Sequence, residues 1–113
     1  MGEFAFLYRG RQVPSSPEQR QKHLQAWLDW FKELDAAGNL KDFGHPLELG
    51  GKLVSGDQKR VSDGPFAEAK DVIGGFSIVE ATDLNHATRL AQGCPILTVG
   101  GSVEVRAVQQ GPK

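Results

Sequence analysis

Proton chemistry near neutral pH calls for an imidazole, and the sequence offers His23, with Asp63 as the carboxylate to orient it. A carboxylate bound to one ring nitrogen fixes the tautomer and raises the basicity of the other, leaving that nitrogen to move a proton. The two residues are forty positions apart, so only the fold can bring them together. Each also has a plainer role. His23 reads first as a helix-border histidine half covered by Trp27, and Asp63 as an aspartate that accepts a backbone N–H in its own turn.

Asp63 opens the densest stretch of the chain, Asp63-Gly64-Pro65-Phe66-Ala67-Glu68-Ala69-Lys70, with the pair Gly74-Gly75 just behind it. Asp-Gly-Pro is a turn signal, because Gly takes angles other residues resist and Pro fixes its own φ. Backbone N–H groups near Gly64 suit a developing negative charge. Phe66 is an aromatic anchor, and Glu68 either faces a pocket or belongs to an exposed turn of mixed charge. Trp30, at the border of a helical stripe, is the aromatic residue best placed to line a pocket. Arg106 reads either as an anchor for a substrate carboxylate or as an ion-pair partner of Glu104.

Other side chains carry weaker signals. His23, His45 and His86 with one acid are a conceivable metal set, yet no HxH, HExxH or CxxC spacing is present, so no metal site is expected. Cys94 before Pro95 reads as a small buried residue at a helix end rather than a nucleophile. With no G-x-G-x-x-G after a strand and no Gly-Lys-Ser/Thr, no nucleotide cofactor is expected.

The elements that must position these groups follow from periodicity. Residues 4–9 put Phe4, Phe6 and Tyr8 on one face of a strand and Ala5 and Leu7 on the other, so both faces are apolar. A helix begins with Ser16 as N-cap, Pro17 in the first position and Gln19 completing a capping box. Its apolar stripe is Leu24, Trp27, Leu28, Phe31 and Leu34, and Gly38 ends it. Residues 39–50 read as a loop with a short extended piece at 47–49. Residues 52–55 and 59–62 form a short hairpin around Gly56-Asp57-Gln58. Residues 73–80 are the second strong strand, where Gly74-Gly75 permits a bulge or the close approach of another segment. Thr82 or Asp83 caps a second helix that buries Leu84, Ala87, Leu90 and Ala91 and ends at Gly93. Residues 96–99 are read as extended, and 102–108 as the last strand.

The resulting order, βαββαβ with an extra short hairpin, points to a single α+β domain over residues 1–113, a ferredoxin-like sandwich with an antiparallel sheet. Two helices cover one face of such a sheet. The other face is also partly apolar, which predicts a homodimer through sheet faces. With 113 residues, 39% of them hydrophobic, the chain is the size of one globular domain. Thirteen basic and fourteen acidic side chains give a net charge of -1, which offers no field for a nucleic-acid backbone. There is no signal-peptide pattern and no apolar run of membrane length, and the single cysteine cannot form an internal disulfide. A cytoplasmic protein that does not enter a membrane is expected.

The stretch from Asp63 to Asp71, followed by Gly74-Gly75-Phe76, resembles the signature of the DGPF family of YCII-related proteins. The resemblance extends through the aromatic first strand, Ala37-Gly38-Asn39-Leu40 at the end of the first helix, and Val103-Glu104-Val105-Arg106. It implies a dimeric α+β barrel built from ferredoxin-like chains, and an acid–base pair of a helix histidine with the Asp of the turn, matched here by His23 and Asp63. The family's more usual Glu-Thr-Lys-Glu is Glu68-Ala69-Lys70-Asp71 in this chain, which loses a hydroxyl and keeps the charges. Two functions are then expectations: a cofactor-independent lyase or isomerase acting on a small organic substrate, or a non-catalytic homodimeric module that binds a small ligand or a partner protein.

Overall fold

The computed structural model describes residues 1–10, 16–48, 50–64 and 72–110. Strand β1 (Gly2–Arg9) is followed by α1 (Pro17–Ala36), β2 (Leu40–Asp42), β3 (Gly51–Ser55) and β4 (Arg60–Gly64). Then come β5 (Ile73–Ala81), α2 (Leu84–Ala91), a 3-10 helix (Pro95–Val99) and β6 (Ser102–Ala107). The main sheet has the order β2-β5-β1-β6 with every neighbouring pair antiparallel.

The ends of α1 form as their residues dictate. Ser16 Oγ accepts from the Gln19 N–H at 3.0 Å, and Pro17 costs no helical bond in the first turn. At the other end Gly38 takes φ 79°, its N–H donates to Asp35 O, and Asn39 N–H donates to Leu34 O. Asn39 then pins this end to the sheet, since its carbonyl accepts from Glu80 N–H and its side chain donates to Glu80 O at 2.8 Å. Asp83 caps α2 by accepting from the His86 N–H.

One face of the sheet is the core. Phe4, Phe6 and Tyr8 of β1 and Val79 and Ala81 of β5 pack under Trp30 and Leu34 of α1 and Ala87 and Ala91 of α2. Cys94 and Ile96 close the end of this layer, so residues 95–99 wind as a 3-10 helix rather than extend. The helical stripe is rotated from the one periodicity suggests. Trp30 is 6% exposed and stacks on Phe6 with ring centroids 6.1 Å apart, whereas Leu24 and Leu28 are 54% and 52% exposed. Trp27, Trp30, Phe31 and Leu34, spaced three and four apart, are the residues that meet the sheet.

On the opposite face Ala5 lies beside Ile78 and Leu7 beside Phe76. Charged pairs flank them. Arg9 reaches Glu104 at 2.9 Å, and Lys41 lies 3.2 Å from Glu3 and 3.5 Å from Glu80, partners that raise its pKa.

Two expectations need correction. The sheet is open. Strands β2 and β6 are its edges, β2 is only three residues long, and β3 pairs with β4 alone in a separate hairpin, so the strands do not close into a barrel. The second strand of the main sheet is Leu40–Asp42, which the sequence reading placed in a loop. Its three residues carry too little alternation to register as a strand; backbone pairing with β5 makes it one.

Candidate functional site

Gly75 lets a loop lie directly against the start of β5. Leu47 N–H donates to Gly74 O at 2.8 Å, and Pro46 forms an isolated bridge with Gly75. Gly44 has φ 70°, and a Cβ there would fall 1.8 Å from Phe76 O. A Cβ on Gly75 would meet His45 O at 3.1 Å. Ser77 Oγ donates to Phe43 O at 2.8 Å and Asp42 Oδ1 accepts from Gly44 N–H, so side chains hold the loop at residues 43–44 and the β5 backbone holds it at 46–47.

Held this way, the loop stands opposite α1 and encloses a groove of about 520 Å³. Arg20, His23, Leu24, Trp27, Leu28 and Phe31 of α1 form one wall, Phe43, Gly44, His45 and Pro46 the other, and Tyr8 and Ile96 lie between them. The stripe of α1 facing the groove adjoins the one on the sheet, with Trp27 and Phe31 serving both. No carboxylate lines the groove among the described residues. The polar groups are His23, His45 and Arg20, on walls that are otherwise aromatic and aliphatic.

His23 sits one turn before Trp27, and the Trp27 indole Nε1–H donates to His23 Nε2 at 3.0 Å. Tyr8 meets the Trp27 ring edge-on at 4.9 Å, and Phe31 lies 5.7 Å from it. Burial pushes the Tyr8 hydroxyl pKa well up, against the opposing effect of its bond to Ser77. His45 approaches the Phe76 ring at 6.3 Å.

The other expected site residues lie elsewhere. Asp63 is in the hairpin, with its side chain 87% exposed and paired with Lys52. It is not among the groove residues, and no hydrogen bond joins it to His23. Gly64 ends β4 opposite Gly51. Phe66 and Glu68 lie outside the described residues. Trp30 belongs to the core rather than the groove. Arg106 is on the open sheet face, 3.9 Å from Glu104, as an ion-pair reading requires. His86 accepts from Thr82 N–H at 3.1 Å near the head of α2, and burial pushes the Cys94 thiol pKa up to about 12.

A family model of the YCII-related domain matches residues 4–110. The chain belongs to the YCII-related family. This YCII-related chain is also similar to a solved structure, the 5-chloro-2-hydroxyhydroquinone dehydrochlorinase of Burkholderia phenoliruptrix AC1100 in complex with 2,5-dihydroxybenzoquinone. The two are 22% identical, with 96% of this YCII-related chain and 95% of the other covered and a TM-score of 0.48. No curated protein matches the chain.

For this YCII-related chain, sequence reasoning singled out His23 but not the groove around it. Phe43 and His45 were missed as wall residues, as were Arg20 and the outward-facing Leu24 and Leu28. The available signal was the combination of Gly44-His45-Pro46 with Gly74-Gly75, two backbone-permissive segments of which one docks on the other.

Proposed function

We propose that the groove between α1 and residues 43–46 is the ligand site of a small-molecule-binding homodimer. The ligand is a small organic molecule with an apolar body and at least one hydrogen-bond acceptor. The observation that carries this reading is a groove of about 520 Å³ whose aromatic walls hold two imidazoles and a guanidinium. That volume falls within the roughly 300–1,000 Å³ of small-molecule sites. Leu24 supplies a direct test because it is exposed and lines the groove, so Leu24→Glu puts a charge there at little cost to folding. Compounds that quench tryptophan fluorescence in the parent chain should bind L24E at least tenfold more weakly. A broad screen yielding no L24E-sensitive binder rejects the site.

Two imidazoles on one groove favour a second reading, a cofactor-independent lyase or isomerase. In it His23 moves a proton, and Asp63 contributes only after leaving Lys52. Turnover by H23A and D63N, each checked for folding, tests these roles. If a reaction is found and neither substitution slows it, His23 and Asp63 are not its acid–base pair.

The homodimer reading rests on the open sheet face, where Ala5, Leu7, Phe76 and Ile78 lie inside a rim of ion pairs. A cytoplasmic location accords with one buried free cysteine. No helix is long and apolar enough to cross a membrane among the described residues.

A further inference from the structure

We propose that Trp27 locks His23 as the Nδ1–H tautomer, so that the groove presents a neutral imidazole donor to its ligand rather than a base. This rests on reading the groove as a ligand site. The indole N–H can only donate, so the nitrogen that receives it must hold a lone pair. At 3.0 Å from Trp27 Nε1, that nitrogen is His23 Nε2, and the proton of the neutral ring is therefore on Nδ1.

The lock is built into the helix. Residues four apart lie on one face of α1, and the Trp27 ring is in turn held by the edge of Tyr8 at 4.9 Å and by Trp30 and Phe31 at 5.8 and 5.7 Å. Swinging the indole away from His23 would disturb rings that also pack on the sheet. No described residue accepts from His23 Nδ1, which leaves that N–H for a ligand oxygen. A carbonyl, a phenolic oxygen or a carboxylate fits this donor, whereas an ammonium has no lone pair to offer it.

The same geometry limits the role of a carboxylate. If Asp63 or any other acid accepted from Nδ1–H while Trp27 held Nε2, both ring nitrogens would be occupied and neither could exchange a proton with a substrate. His23 acts as a base only when the indole lets go. Trp27 is thus a positioning residue, and the hydrogen bond given by His23 stabilises an acceptor without proton transfer.

Long-range proton–nitrogen correlation on nitrogen-15-labelled protein, at about pH 8.5 and so above the ordinary imidazole range, reads the tautomer directly. His23 is assigned by its loss in H23N. The parent chain is expected to show a protonated Nδ1 and a bare Nε2, and Trp27→Phe, which keeps a ring but loses the N–H, to lose that preference. The Trp27 indole proton should move upfield in H23N, a readout that does not depend on W27F folding. A wild-type His23 protonated on Nε2, a tautomer unchanged in W27F, or an indole resonance unmoved in H23N overturns the proposal. A locked tautomer in a chain with no L24E-sensitive ligand would sink the ligand-site reading and leave the lock standing. Such a ligand in a chain with Nε2–H His23 would do the reverse.

Discussion

The Tyr8 hydroxyl donates a 2.8 Å hydrogen bond to Ser77 Oγ, and the Ser77 hydroxyl in turn donates to Phe43 O at 2.8 Å. Two adjacent strands and the loop that walls the groove are therefore joined by one buried serine. In Ser77→Ala the Phe43 carbonyl and the Tyr8 hydroxyl each lose a partner. Leaving buried polar groups unsatisfied costs about 1–3 kcal/mol. Urea unfolding should show S77A destabilised by that amount. In a double-mutant cycle Tyr8→Phe should cost less in S77A than in the parent chain. Additive costs would mean that the relay is not a unit.

Gly44 is required for two separate reasons, its φ of 70° and the absence of room between it and Phe76 O. Gly44→Ala should destabilise the chain by more than the roughly 1–3 kcal/mol of a strained backbone angle alone. Gly38 provides the control, because its φ is 79° and nothing lies within 4 Å of the position a Cβ would take. Gly38→Ala should therefore lose only the angular part. Equal shifts in the urea midpoint for G44A and G38A would show that the loop does not press on β5.

These two positions also show what the sequence could convey. Helix ends are local, so Ser16, Gln19 and Gly38 were sufficient to place α1, and alternating apolar residues placed β1 and β5. The hairpin was legible from its turn, but its separation from the main sheet was not, since pairing partners are a tertiary property. The groove was hidden for a related reason. Its outer wall is fastened by the backbone of residues 43–47 against Gly74, Gly75 and Phe76, and backbone contacts leave no hydrophobic period to read. A motif can likewise mark a family without marking a site. Asp63 begins the signature, yet its side chain meets Lys52 in the hairpin.

That placement makes Asp63 thermodynamically quiet. An exposed ion pair contributes about 0–1 kcal/mol. Asp63→Asn should consequently leave the urea midpoint nearly unchanged, so any loss of ligand binding or turnover in D63N can be assigned to function. A large stability loss in D63N would instead mean that the hairpin depends on the Lys52 pair.

Alkali should loosen the fold through two buried acids. Tyr8 and Cys94 ionise ordinarily at 10.0 and 9.0, and burial raises both in the folded chain, Cys94 to about 12. Above pH 9 the unfolded chain thus releases protons that the folded chain keeps, and stability falls as pH rises. Below that point their contribution is fully present. Urea midpoints should begin to drop near pH 9 and keep falling toward about pH 12, and Cys94→Ala should flatten part of the decline. At pH 8 a thiol reagent should react with Cys94 only on unfolding. Prompt labelling of the native chain would show that the thiol is not buried as the fold places it.

Dimerisation should be sensitive to the middle of the open sheet face. Leu7 and Phe76 are neighbours across β1 and β5, as are Ala5 and Ile78, and all four alternate with the buried core residues of their strands, Phe76 also bordering the groove. Their surroundings are ion pairs, so the face has the apolar centre and polar rim of an interface. Leu7→Lys puts an ammonium in that centre, and a two-fold axis through the face would place two such charges near one another, a repulsion that hydration of the separated chains relieves. In the free monomer the same lysine can reach water along its own stem, so folding should survive. Light scattering should therefore report about two chains per particle for the parent and one for L7K, with unchanged circular dichroism. Lys22→Glu, on the exposed side of α1, should leave the mass unaltered. A parent chain that is monomeric at micromolar concentration, or an L7K dimer as tight as the parent, would assign this face to solvent rather than to a second copy.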